Sequence, residues 1–206
     1  MRLKLPTMSF AIRAVLAALF CLAASLPSAS KAQTVPVVAI SPQDSAIKFS
    51  VKSSLDVSGT FDKWDATLVF ASRDPTSGVL DIQIQAASVD TGSGMKDSTL
   101  KGSDFFNVDK DPLIKFHSTK VIQTAPNSFT VNGDFTIRGV TKPESLTLAA
   151  SGIGTGTATI TGKMAFNRDD FGVNGSIPFV WIADRVEVNV DLKATRVSGP
   201  TLLFKN

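Results

Sequence analysis

Residues 186–193 read Val186-Glu187-Val188-Asn189-Val190-Asp191-Leu192-Lys193, four apolar side chains interleaved with four polar ones. Side chains of an extended chain point to alternate faces. The stretch therefore predicts a strand with one buried and one wet face, as in an antiparallel sheet. The same period recurs at Ile47, Phe49 and Val51 (between them Lys48 and Ser50), at Leu80, Ile82 and Ile84, and at Ile114 and Phe116. Weaker alternation predicts further strands over 64–71, 128–137, 145–150 and 157–166.

Working outward, turn-forming pairs punctuate these runs: Ser58-Gly59, Asp74-Pro75, Asn132-Gly133, Arg138-Gly139, Lys142-Pro143 and Asn174-Gly175. Asn132-Gly133 has two readings, a two-residue hairpin or a bulge in one long strand. The glycine-rich stretch 152–156 reads as a turn or a kink. Only 94–106 invites helix, with short turns expected around 98–101 and 103–106. Many short strands separated by turns predict an all-β sandwich or barrel. Closure removes exposed edges, which favours the barrel.

The first 32 residues have the composition of an export signal. Arg2, Lys4 and Arg13 precede an apolar run from Ala14 to Leu26, and Ser30-Lys31-Ala32 supplies a small-x-small cleavage pattern. The run is shorter than the ~20 apolar residues a membrane-spanning helix needs. Residues 1–32 are therefore expected to be a cleaved signal peptide, and residues 33–206 a single exported domain. The sole cysteine, Cys21, falls inside the signal, so the mature domain has neither disulfide nor thiolate. Four of the 21 Lys and Arg and none of the 18 Asp and Glu lie in 1–32, which leaves 17 cations against 18 acids. A near-neutral domain gives no electrostatic case for nucleic acid or for an anionic surface.

Chemistry-bearing residues are sparse. His117, the only histidine, lies in the polar phase of its strand and reads as a solvated side chain. Without a G-x-S-x-G motif or further His and Cys, neither a nucleophilic triad nor a zinc site is expected. Asp62 with Asp65, Asp109 with Asp111, and Asp169-Asp170 read as turn formers rather than acid–base pairs. The cluster from Asp104 to Asp111 lacks the spacing and closing Glu of a calcium loop. Asn174-Gly175-Ser176 fits a glycosylation acceptor by formula but reads as a turn. No catalytic residue, metal or cofactor is assigned. The chain holds 14 Phe, 2 Trp and no Tyr, and Phe adds apolar area with no polar atom to satisfy.

Longer stretches carry a resemblance. Val57-Ser58-Gly59-Thr60-Phe61-Asp62-Lys63-Trp64, Leu100 to Val108 (with Asp104-Phe105-Phe106-Asn107), Pro112-Leu113-Ile114-Lys115-Phe116-His117-Ser118-Thr119, Gly133-Asp134-Phe135-Thr136-Ile137-Arg138-Gly139-Val140-Thr141-Lys142-Pro143 and Asn167-Arg168-Asp169-Asp170-Phe171-Gly172-Val173 follow one another as in the YceI-like family. The similarity runs from about Ile47 to Ala194. It departs at Asp44-Ser45, at Ser53-Ser54 and at Asp111, where the family often has His, His and an aromatic. Residues 177–182 are also more hydrophobic than the family pattern.

The resemblance implies an eight-stranded antiparallel, lipocalin-like barrel with an elongated apolar tunnel; the helical segment read at 94–106 and the sparse chemistry add a short helix and a non-enzymatic role. It implies a periplasmic protein that binds a long-chain isoprenoid, an isoprenoid quinone or a similar fatty amphiphile, and it allows a homodimer. Alternation and resemblance together nominate Phe49, Val51, Phe61, Phe70, Ile82, Ile84, Phe105, Ile114, Phe116, Phe135, Ile137 and Phe171 as ligand-lining, with Phe105-Phe106 placed near a barrel end as a gate. Competing readings are a small outer-membrane barrel, a ligand-free structural barrel, and an enzyme using Asp169-Asp170. Charged residues on the wet faces and the lack of Tyr for an aromatic girdle weigh against stable membrane insertion.

Overall fold

The computed structural model describes residues 35–55 and 57–205; the signal assigned to 1–32 lies outside them. The elements are β1 (Val37–Ser53), β2 (Val57–Phe61), β3 (Trp64–Phe70), β4 (Gly78–Gln85), β5 (Val89–Asp90), α1 (Gly94–Lys101), β6 (Leu113–Ala125), β7 (Ser128–Ile137), β8 (Val140–Ser151), β9 (Thr157–Asn167) and β10 (Ile182–Ser198). Neighbouring strands pair antiparallel, and β10 returns to β1 over a long register that includes Ile47↔Val190, Phe49↔Val188 and Val51↔Val186. The result is the closed eight-stranded antiparallel barrel, with a single short helix.

β2 and β3 serve as one broken strand of the wall. β2 pairs with Lys48–Val51, while β3 meets the start of β1 at Val37↔Val69. The break at Asp62-Lys63 is held by Ser88, whose carbonyl accepts from the Asp62 amide (3.1 Å) and whose hydroxyl accepts from the Lys63 amide (3.0 Å). At the β7–β8 hairpin, Arg138 (φ 51°) and Gly139 (φ 72°) both take positive φ between the paired Ile137 and Val140. That is the two-residue turn whose twist matches its flanking strands.

Asn132-Gly133 resolves as a bulge, not a hairpin. β7 runs through it unbroken, and the extra residue, Thr119, stands on β6 between Ser118↔Gly133 and Lys120↔Asn132. Glycine is required there by close approach. A Cβ would fall 2.5 Å from the His117 carbonyl oxygen and 2.7 Å from the Phe116 ring. The helix also differs from expectation. It fills two turns, 94–101, and 103–106 is a turn. The Phe106 and Asn107 amides reach back to the Leu100 and Gly102 carbonyls, in place of a second helix.

Alternation places Ile47, Leu80, Ile82, Ile114, Phe116, Val190 and Leu192 inside as buried residues. Lys48, Lys115, His117, Lys163, Glu187 and Asp191 stand exposed on the same strands. Charge on the outer face of these four strands is the reverse of the apolar band a lipid-embedded barrel presents.

Candidate functional site

Inward-facing side chains leave two apolar cavities. One, of about 300 Å³, lies where β1 begins and β10 ends; its wall includes Leu68, Phe70, Leu80, Phe129, Leu148 and Ile160. The other, of about 320 Å³, lies where β1 ends and β10 begins. Both sit at the lower end of the range of small-molecule sites. Between them Ile82, Phe116, Leu146, Met164 and Val190 converge on a void of only about 30 Å³. The interior is thus two chambers separated by a packed waist.

The larger chamber gathers most of the nominated residues. Phe49, Val51, Phe61, Ile84, Phe105, Ile114, Phe135 and Ile137 line it. Phe70 lines the other chamber, and Ile82 and Phe116 form the waist. Phe171 is misplaced in the expectation. It is fully buried and packs edge-on against Phe135 (ring centroids 5.4 Å) and Phe166 (5.3 Å), so it braces the wall instead of lining a cavity. A 3₁₀ turn over Arg168–Phe171 carries it inward, in place of a strand whose alternation could have been read.

Several lining residues were missed. Leu80 and Val188 share the phase of nominated or neighbouring strand positions and were legible on that ground; they line the smaller and the larger chamber respectively. Leu100 on α1 and Phe204 could not be read from strand period. Phe204 belongs to a segment that folds back over the smaller chamber. The Leu203 amide donates to the Arg73 carbonyl (2.8 Å), Gln123 exchanges two bonds with the Lys205 backbone, and the Phe204 ring meets Phe129 edge-on at 6.1 Å.

The polar side chains of the larger chamber are Ser93, Lys96, Thr99 and Arg168, while the smaller one is edged by Thr157, Arg196 and Thr201. The Arg168 guanidinium donates to the carbonyls of Val173 (2.8 Å), Ala183 (3.1 Å) and Gly175 (3.3 Å) and lies 3.4 Å from the Asp184 carboxylate. Its donors are largely spent on holding 173–183 in place. Arg138 in turn donates to the Phe105 carbonyl (3.0 Å), and Gly175 lies against the Phe105 ring. Phe105 is therefore a fixed wedge in the wall, 6% exposed.

On the far side, α1 is tied down by Asp97. Its carboxylate accepts from the Thr91 hydroxyl (2.7 Å) and amide (2.8 Å). Those two bonds hold the Asp97 carboxyl below its ordinary range. His117 is exposed, and its Nδ1 lies 2.6 Å from the Asp81 carboxylate on the outer surface. The pair is well away from both chambers.

Comparisons with known proteins agree with this architecture. A UPF0312 protein of Pseudomonas savastanoi pv. phaseolicola is 33% identical over 127 residues, 59% of this chain and 66% of its own length. Protein YceI of Shigella flexneri is 37% identical over 107 residues, 52% of this chain and 54% of its own. The aligned part thus spans between about half and two thirds of these curated relatives. BcnA of Burkholderia cenocepacia superposes with a TM-score of 0.69 at 25% identity, over 76% of this chain and 99% of that one. A polyisoprenoid binding domain from Saccharophagus degradans shares the fold alone, with a TM-score of 0.60 and 13% identity, over 78% and 99% of the two chains. With residues 39–194 matching the model of the YceI-like domain, the chain belongs to the YceI-like family.

Proposed function

We propose that this chain is a periplasmic binding protein that holds a long-chain isoprenoid, an isoprenoid quinone or a comparable fatty amphiphile in its barrel. The observation that carries the reading is the larger chamber, about 320 Å³ of apolar wall with polar side chains only at its rim. Such a chamber favours a ligand with an apolar chain inside and a polar head at the rim. Removing apolar surface from water contributes about 25 cal/mol per Å², before the costs of association are subtracted. Few polar contacts are then needed. The polyisoprenoid binding domain of the same fold supports the ligand class. A ligand longer than one chamber must part the waist and thread into the second. The reading assigns no catalytic step. Asp169 and Asp170 are exposed carboxylates beside Arg168 and Lys142, outside both chambers.

Native mass spectrometry of protein taken from a periplasmic extract, followed by organic extraction, tests the reading. The expected result is one long-chain isoprenoid per barrel. An empty protein that also fails to take up added isoprenoid quinone would sink the proposal in favour of a barrel whose Phe side chains simply fill their own lumen.

A further inference from the structure

We propose that the rim of the larger chamber docks on the surface of a lipid bilayer, with Phe179 and Trp181 seated in the headgroup zone, so that ligand passes between membrane and cavity without crossing water. The inference rests on the lipid-binding reading above and adds a surface and a partner to it.

Three separate segments bring large apolar side chains to this one end: Leu55 (57% exposed) after β1, Met95 (83%) at the start of α1, and Phe179 (105%) with Trp181 (62%) before β10. Leu55 and Met95 also line the chamber, so its apolar wall continues outward as an apolar rim. A clustered rim of this kind marks an interaction surface, unlike apolar residues scattered singly.

Phe179 is placed there against local preference. Ile177-Pro178-Phe179-Val180 is a tight turn closed by the Val180 amide on the Ile177 carbonyl at 3.0 Å, and Phe179 takes φ 63°. With Pro at the second position, the third is the site that a type II turn reserves for glycine. A bulky side chain at positive φ is strained. The strain gains no packing inside the barrel, because the ring is wholly exposed. What it achieves is to point a phenyl ring outward.

The turn is also held firmly. The Trp181 carbonyl accepts from the Ser54 amide and the Trp181 amide donates to the Ser54 hydroxyl, both at 2.9 Å. Ser54 stands at one of the departures from the family pattern. Arg168 fixes the two flanks at Val173, Gly175 and Ala183. Phe179 and Trp181 are thus presented on a braced loop.

The bilayer is the occupant that fits both the shape and the charge. Trp favours the water–lipid boundary, and Phe serves with it as an apolar anchor of interfacial segments. Lys96 lies on the chamber rim beside Met95, and exposed Lys52 precedes Leu55. The domain as a whole is near neutral, but at this rim cations interleave with apolar anchors, and that local arrangement complements phosphate headgroups.

Vesicle flotation tests the proposal, using phosphatidylcholine with and without phosphatidylglycerol, on the parent domain, Phe179→Gly and Phe179→Gly/Trp181→Ser. The parent should float with both vesicles and more strongly with phosphatidylglycerol. The double variant should lose on the order of tenfold in partitioning, the change expected when ~1.4 kcal/mol of anchoring is removed. Phe179→Gly should also raise the melting temperature, since glycine relieves the backbone, and that separates lost docking from lost folding. Uptake of a pyrene-labelled fatty acid added from ethanol should be the same in all three.

A parent protein that does not float, or a double variant that floats equally well, overturns the proposal. So does a parent that forms a dimer by sedimentation, dissociated by the double substitution, without flotation; the rim would then be a self-association surface. Flotation without pyrene uptake would instead count against the cavity reading while leaving the docking surface standing.

Discussion

At the scale of the residue, one hydroxyl shows how the wall tolerates irregularity. Ser118 is the buried polar side chain of the described core, and its hydroxyl accepts from the Leu80 amide at 2.7 Å. The β4–β6 ladder stops at Asp81↔His117, two residues before the bulge at Thr119. Ser118 therefore supplies with its side chain the acceptor that the ladder no longer provides. Replacing it by Ala leaves a buried N–H unpartnered, and the expected loss is about 1–3 kcal/mol in urea unfolding. Ser118→Thr, which keeps the hydroxyl, should lose less. Ser118 shares the inward phase of Ile114 and Phe116, but a serine at an inward position has no meaning until its partner strand is known. Phe171 makes the same point in reverse. Its residue type matched the expected lining, but the turn that carries it sends the ring behind Phe135 and Phe166.

At the scale of the element, α1 depends on its tether more than on its own composition. None of its residues is buried, and eight residues fall short of the length at which a helix is stable alone. Asp97 supplies the tether through Thr91. A carboxyl held below its ordinary value of 3.8 stabilises the folded form above that value, and the contribution fades as pH falls through the lower, folded-state value. Asp97→Asn should remove that dependence. By hydrogen exchange at neutral pH, the amides of α1 in the variant should exchange faster than in the parent, with the difference shrinking in acid as the parent's own carboxyl protonates. Equal exchange in the two at neutral pH would mean that the tether does not hold the helix.

The elements were unequally legible in the sequence. Strands with strict alternation, such as 114–117 and 186–193, lie within β6 and β10 as expected. α1 extends a turn beyond the expected one, because it is held by a tertiary tether that no local pattern announces and it carries no apolar stripe. The broken strand β2–β3 was invisible as one wall member, since Ser88, which holds the break, lies about 25 residues along the chain.

At the scale of the whole molecule, the two chambers and their waist set what length of ligand the barrel can take. Met164→Ala should join the chambers, at a cost of about 2–5 kcal/mol for deleting a buried side chain. In a series of isoprenoid alcohols of increasing length, the variant's preference should move toward the longer members, read as relative affinity by competition. An unchanged preference would mean that the ligand does not cross the waist. The closed outline was anticipated from edge avoidance. The division into chambers was not, because it depends on how Ile82, Phe116, Leu146, Met164 and Val190 meet across the lumen, a property of five strands at once.

The β1–β10 seam has a further consequence, for synthesis. One edge of the first long strand is taken early by β2 and β3, but its other edge finds a partner only in the last strand, from Val37↔Ser198 to Ser53↔Ile182. While the ribosome still holds residues 182–198, β1 and β9 are bare edges and the lumen is an open apolar trough. Contacts so distant along the chain form slowly. A nascent chain of this protein therefore remains a client for chaperones until nearly its whole length has emerged, and no shorter fragment can shelter the surface that the finished barrel keeps inside.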